Sequence, residues 1–366
     1  MSDTAEPVAC DRQNSSVPNT DNAHLDLPPG KRPTLRDVAA HAGVSVSAVS
    51  KVLRSADGVS AEMYSRVTAS IATLAYRPNA AARGLRGRTF TVGMVVPDLQ
   101  NPFFGLVIDS IASVLGAAGY ELFIGQAGRT GRSESETVEA MLDRQMDGLI
   151  LMIAAGMSDE HLAAIGRRVP LVVMARHGAA AEYDTVASDD LRGSDLLIDH
   201  LVSLGHRRIS HITYQDGATR PQQPPYFREL GYRDAMRRHG LEHEIDVVQT
   251  MFSEEGGRRA AQDLLARDRV PTAIYVGADI AAFGVLSALG ERSVPVPAAI
   301  SVVGYDNLPT AAVYPISLTT IDPAAPTMGT HAARLLLQRI AGRTEPISEQ
   351  LAVELIVRAT TAPASA

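Results

Sequence analysis

Apolar segments of strand length recur along most of this chain, each separated from the next by a stretch with helical spacing. TVGMVVPDL (91–99), YELFIGQ (120–126), DGLILMI (147–153) and PLVVMAR (170–176) form one series; RRISHITY (207–214), DVVQTMF (246–252), PTAIYVG (271–277) and ISVVGYD (300–306) form a second. Helical stretches such as NPFFGLVIDSIASVLGAAG (101–119) lie between them. This is the mark of parallel βαβ units, because a strand covered on both faces is apolar throughout and needs a crossover helix to return. Two such series predict an α/β body of two doubly wound lobes. Such sheets bind ligands in the crevice at the carboxyl ends of their strands, so functional residues are expected just after each strand.

The first ninety residues break this pattern, and their charge is segregated from the rest. The chain carries a formal charge of −7 over 366 residues, yet residues 1–30 sum to −4, residues 31–90 to +7 and the remainder to −10. A compact basic segment on an acidic protein is the electrostatic footprint of a module that binds a polyanion; a solvated charged face gives a weaker version of the same imbalance. Residues 1–30 have neither the basic start nor the apolar core of an export signal, and are expected to be a disordered tail on a cytoplasmic protein. Cys10 is the only cysteine, which excludes a disulfide framework and a thiolate metal site. No apolar run is long enough to cross a membrane.

Helix signals crowd the basic segment. TLRDVAAHAG (34–43) offers Thr34 as a cap with Asp37 three residues on, an apolar face of Leu35, Val38, Ala39 and Ala42, and Gly43 as a stop. VSVSAVSKVL (44–53) follows at once, capped by Ser45 and apolar at Val49, Val52 and Leu53. A third helix is predicted from Ser60 through Met63, Val67, Ile71 and Leu74 to Pro78. Three short helices, the first two joined by a tight turn, describe a helix-turn-helix domain, although periodicity alone fits any small bundle equally. The outer face of the second helix favours DNA. Val46, Ser47 and Ser50 are small enough to let a helix sit deep in a major groove, and Lys51 places one cation within reach of a base edge or phosphate. RPNAAARGLRG (77–87) then poses a puzzle, because so short a helix is marginal in water and Gly84 weakens it further.

TLRDVAAHAGVSVSAVSKVL, YRPNAAARGLRG and TVGMVVPDLQNPFF together resemble the LacI/GalR family of bacterial transcription regulators, and the resemblance runs from about Thr34 to Thr360. It implies an N-terminal all-α helix-turn-helix domain with a hinge helix, then a two-lobed doubly wound α/β body like that of periplasmic sugar-binding proteins. The implied divisions are a tail over 1–30, a DNA-binding domain over 31–78, a hinge over 79–89 and an effector-binding and dimerisation body over 90–366. Within the body, lobe 1 is expected at about 90–187 and 320–343, and lobe 2 at about 188–319 and 344–361. On this resemblance RPNAAARGLRG folds only when two copies pair on an operator, with Leu85 as a minor-groove wedge and Arg86 the basic residue beside it. Partner and phosphate contacts would then supply the free energy that the isolated helix lacks; a flexible linker is the plainer reading of the same residues. The expected DNA-facing set is Thr34, Val46, Ser47, Ala48, Ser50, Lys51, Asn79, Leu85 and Arg86. Lys51 stands where many members carry arginine, and lysine lacks the planar fork that grips guanine, so base choice there is expected to be looser.

Strand ends supply candidate effector contacts: Phe103 and Phe104 after the first, Arg176 at the fourth and Tyr275 near the end of PTAIYVG. The resemblance adds Arg228, three residues before Gly231, together with Asp279 of GADIAAFG and Asp306 of VVGYD. An arginine forks onto paired hydroxyls, carboxylates accept from sugar hydroxyls, and an aromatic face covers a sugar or a base. The same residues fit other roles: Asp279 and Asp306 as helix caps, Tyr275 and one of the two phenylalanines as core. Ala278 stands where asparagine is frequent, so a nucleoside or purine-like metabolite, or a corepressor, remains beside a sugar as the effector. No GxGxxG follows a strand, and GxxxxGK[ST], GxSxG and HExxH are absent, so neither catalysis nor a cofactor or metal is expected. The expected function is a repressor, binding pseudo-palindromic double-stranded operator DNA as a homodimer, with its affinity set by a small-molecule effector. A stand-alone solute-binding protein or enzyme of the same fold is the competing reading, and the basic segment argues against it.

Overall fold

The computed structural model describes residues 33–53, 58–77, 88–127, 133–178, 182–214 and 221–364. They form two compact units that divide at residue 85.

The smaller unit contains α1 (Leu35–Ala42), α2 (Val46–Leu53) and α3 (Ala61–Thr73). A capping box starts α1: the Thr34 hydroxyl accepts from the Asp37 amide, and the Asp37 carboxylate accepts from the Thr34 amide at 2.7 Å. Gly43 ends it at a φ of 63°, a left-handed conformation that glycine adopts without strain and that turns the chain straight into α2. Val38, Ala39, Val49, Val52, Val67 and Tyr76 close the core between the helices. α3 stops at Thr73, short of the predicted end at Pro78. Ala75, at a φ of 47°, turns the chain so that Tyr76 folds back into that core.

In the larger unit the first sheet holds β1 (Thr91–Val96), β2 (Glu121–Gln126), β3 (Gly148–Met152), β4 (Leu171–Met174), β5 (Asp184–Ser188) and β11 (Ser348–Leu351). The second holds β6 (Ile209–Tyr214), β7 (Asp246–Thr250), β8 (Ala273–Val276), β9 (Ser301–Tyr305), β10 (Thr319–Asp322) and β12 (Glu354–Ile356). Their orders are β11-β5-β4-β3-β1-β2 and β12-β10-β9-β8-β6-β7, and every pairing is parallel except β10 with β12. Each of the eight apolar runs contains a strand. Around the first sheet lie α4 (Pro102–Ala117), α5 (Glu134–Leu142), α6 (Asp159–Gly166) and α11 (Ala325–Ile340). Around the second lie α7 (Asp190–Ser203), α8 (Pro224–Arg238), α9 (Glu254–Leu265) and α10 (Asp279–Glu291). Each sheet buries apolar side chains on both faces of its central strands, which is why β1, β3, β4, β6, β8 and β9 read as continuous apolar runs.

The chain passes between lobes three times, and the last passage differs from the expected boundary. Thr319–Asp322 pairs with β9 in the second sheet, so the return to the first lobe follows Asp322. Ser348–Leu351 pairs in parallel with β5, which keeps residues 344–351 in the first lobe and places the last crossing between Leu351 and Glu354. The last boundary was misplaced because the edge strand β11, SEQL, is short and polar and carries no apolar signal. Among the described residues no helix is long and apolar enough to cross a membrane.

Candidate nucleic-acid interface and effector cleft

The second helix presents the DNA-facing candidates because its other face is spent on the core. Val49 and Val52 are buried, which leaves Val46, Ser47 and Lys51 exposed and Ala48 and Ser50 half-buried. Val46 keeps 41% of its surface in solvent, an exposed apolar group in the first turn of α2. Ser45 caps the helix by accepting from the Ala48 amide at 3.2 Å. The first turn carries no acidic residue and the only charge on the helix is Lys51, so its positive N-terminal dipole end is unopposed toward phosphate. Thr34 is exposed, but its hydroxyl donates to Asp37 at 2.7 Å within the capping box. Asn79, Leu85 and Arg86 lie outside the described residues.

In the second lobe, at the carboxyl ends of its strands, a buried charge cluster forms around Arg228, and His177 reaches it from the first lobe. Its Nε donates to Asp190 at 2.9 Å, one terminal nitrogen donates to the Gly277 carbonyl at 2.6 Å, and the Asp306 carboxylate lies 3.7 Å away. The guanidinium stacks on the Tyr305 ring, 3.6 Å from its centre. Gly193 of α7 makes room for that ring; a Cβ there would come within 2.6 Å of the tyrosine oxygen. Burial works against every charge here, and pairing decides which survive. Burial opposes the Asp190 carboxylate, but Arg228 and His177 overcome it and hold the group below the usual carboxylate range. At Asp306 burial wins over Arg228, pushing the carboxyl well above that range. Its Oδ2 is buried with no hydrogen-bond partner among the described residues, and so is the Nε2 of Gln223 at the start of α8.

The other candidates divide. Arg176, buried just past β4, donates to the Ala154 carbonyl at 3.0 Å, to Asp159 at 2.9 Å and to Gln222 at 2.7 Å. Phe103 and Phe104 are both buried in the first lobe's core, edge to face with centroids 5.8 Å apart, so neither presents the open aromatic face expected of it. Tyr275 is fully buried, and its hydroxyl is engaged with Ser194 at 2.8 Å. Asp279 is also fully buried; it accepts from the Thr320 hydroxyl at 2.7 Å and the Leu308 amide at 2.8 Å, bracing β10 and the loop after β9. Burial pushes its carboxyl up to about 7. These two residues brace the wall from behind, because both oxygens of Asp279 and the Tyr275 hydroxyl already have internal partners. Among the described residues no cluster of His, Cys, Asp and Glu could hold a metal ion.

Residues 34–79 match the family model "Bacterial regulatory proteins, lacI family", and residues 198–361 match "Periplasmic binding protein-like domain". The HTH-type transcriptional repressor PurR of Pasteurella multocida is 31% identical over 89% of this chain and 97% of its own length. The chain belongs to the lacI family of bacterial regulators. Among solved structures, the lac repressor dimer bound to operator and the anti-inducer ONPF aligns with a TM-score of 0.76 and 27% identity, covering 91% of this chain and all of that one. A lacI-family regulator from Enterococcus faecium, solved with bound ribose, aligns with a TM-score of 0.66 and 30% identity over 75% of this chain and 100% of its own.

This lacI-family regulator is thus a DNA-binding transcription regulator with an effector-binding body, as its helix-turn-helix unit and two-lobed cleft require. Sequence reasoning missed three of the cleft's central residues. Asp190, in VASDD, reads locally as a helix cap, and only the fold brings Arg228 to it. Tyr305 sits inside an apolar strand, where an aromatic reads as core. Gln222 lies in a Pro/Gln-rich loop with no periodicity to place it.

Proposed function

We propose that this lacI-family regulator is a homodimeric repressor that reads a pseudo-palindromic operator, and that its effector is a neutral, hydroxyl-bearing ligand, a sugar or sugar derivative, held between the lobes. The observation that carries the effector class is the charge balance at Arg228. Its cation is matched by Asp190 at 2.9 Å and has a further carboxyl, that of Asp306, 3.7 Å away, so the cluster has no positive charge left over for an anionic ligand. The buried Asp306 Oδ2 suits a ligand hydroxyl, which can donate to the carboxyl oxygen or accept from the acid. A flat base fits less well: the Tyr305 face is covered by Arg228, and Phe103 and Phe104 are in the core.

A ligand that touches both lobes favours one lobe orientation, and the spacing of the two hinge segments in a dimer follows from it. Coupling of about 1–3 kcal/mol would change operator affinity roughly 5- to 150-fold. Thermal-shift screening of the full chain with neutral sugars, polyols, nucleosides and sugar phosphates tests the effector class. Stabilisation by a neutral sugar or polyol is expected; stabilisation by a sugar phosphate alone, or by a nucleoside alone, would overturn it. Sedimentation of a monomer at micromolar concentration would overturn the dimer.

A further inference from the structure

We infer that Gln222 is the catch of an interlobe latch whose keeper is the Arg176–Asp159 pair. Gln222 belongs to the second lobe, at the approach to α8; Arg176 and Asp159 belong to the first, after β4 and at the start of α6. Three contacts converge on this one residue. Its Oε1 accepts from Arg176 at 2.7 Å, its Nε2 donates to Asp159 at 2.9 Å, and its backbone carbonyl accepts from the His177 amide at 2.8 Å. Arg176 and Asp159 are themselves paired at 2.9 Å, so the amide closes a three-membered ring in which each group has a partner of the right kind.

The chemistry of that ring selects an amide. A carboxylate in place of Gln222 would still accept from Arg176 but would set a second negative charge against Asp159. An alkyl side chain would satisfy neither. The latch also explains why Arg176 is buried and fully engaged although it ends a strand at the cleft mouth: its donors hold the first lobe to the second. Beside it, His177 contacts Asp190 at 2.8 Å and stacks on Phe227 of α8 with centroids 4.0 Å apart, so the same loop reaches the second lobe through two neighbouring residues. The latch sets how much of the protein rests with its lobes closed; that this closure answers to an effector depends on the function proposed above, but the latch itself does not.

The test therefore uses no effector. In the full chain with Cys10→Ser, spin labels at Asp143→Cys in the first lobe and Asp268→Cys in the second, both exposed, report the interlobe distance by pulsed electron resonance. With labelled chain diluted into unlabelled chain so that each dimer carries at most one labelled protomer, the parent is expected to give one narrow distribution. Gln222→Glu should add a longer population and speed exchange of the His177 amide about tenfold or more, as loss of hydrogen bonds to charged groups requires. Asp159→Asn combined with Gln222→Glu rebuilds the ring with the donor and acceptor exchanged, and should restore the parent distribution. An unchanged distribution in Gln222→Glu overturns the latch. An opened distribution that the double variant fails to restore overturns the ring that is claimed to hold it. Thermal-shift hits obtained with the parent are unaffected by either result, so failure of the latch and failure of the effector assignment are read separately.

Discussion

The Nε of Arg228 donates to the Oδ1 of Asp190 across 2.9 Å, and both side chains are buried. The resemblance makes Arg228 an effector contact, and this pairing makes it part of the fold as well. Arg228→Ala leaves Asp190 charged in a dry site, and breaking a buried pair from one side costs about 3–5 kcal/mol. Urea unfolding of the full chain should show a large loss for Arg228→Ala and a smaller one for Arg228→Lys, which keeps the charge. A variant as stable as the parent would mean that Asp190 finds another counter-charge.

His211 is sandwiched between Tyr232 and Tyr275, and burial depresses its pKa to about 3. The unfolded chain takes up this proton below about 6.5, whereas the folded chain resists until about 3. The stability that depends on a neutral His211 is therefore complete above pH 6.5 and is lost as the pH falls from there toward 3. His211→Phe keeps the stacking and removes the titration. It should match or fall slightly below the parent at pH 7.5 and gain on it at pH 5, measured as the difference in unfolding free energy at the two values. A difference that does not change with pH would place this proton elsewhere.

Asp147 fastens the chain just before β1: it accepts from the Thr89 amide at 2.8 Å, the Thr89 hydroxyl at 2.9 Å and the Phe90 amide at 2.8 Å. Hydrogen bonds to a charged acceptor are worth about 1.5–3 kcal/mol each when a partner is removed. Asp147→Ala should accelerate tryptic cleavage after the exposed Arg88, releasing a body that begins at Thr89, as sequencing of the fragment would establish. Cleavage at the parental rate would show that other contacts secure this segment.

Lys51 is the only charge on α2, and it is exposed. If it meets a phosphate, Lys51→Ala should lower the slope of log affinity against log salt by about 0.9 per protomer on duplex DNA of any sequence. A slope unchanged from the parent, with altered sequence preference, would assign Lys51 to a base edge instead.

The helix-turn-helix unit was legible because its signals are local. Thr34 with Asp37, Gly43 and Ser45 fix caps and turns within three or four residues, and the apolar spacing of Val38, Val49 and Val52 defines one buried face. The central strands were legible because burial on both faces leaves an apolar run, and the edge strands β2 and β7 because they keep apolar residues although partly exposed. β11 was not, because a short polar edge strand is recognised only by its partner β5.

The sequence by itself therefore determined the two kinds of unit, the concentration of positive charge in one of them, and which strand ends face a cleft. Tertiary structure alone decided the partners. Arg228 meets Asp190 across 38 positions, and Arg176 meets Gln222 across 46. A carboxylate next to a helix start reads identically in sequence whether it caps that helix, as a local hydrogen bond would, or neutralises a distant guanidinium. The difference is made by burial, which leaves a charge no water to fall back on and so lets only the side chain delivered by the fold satisfy it.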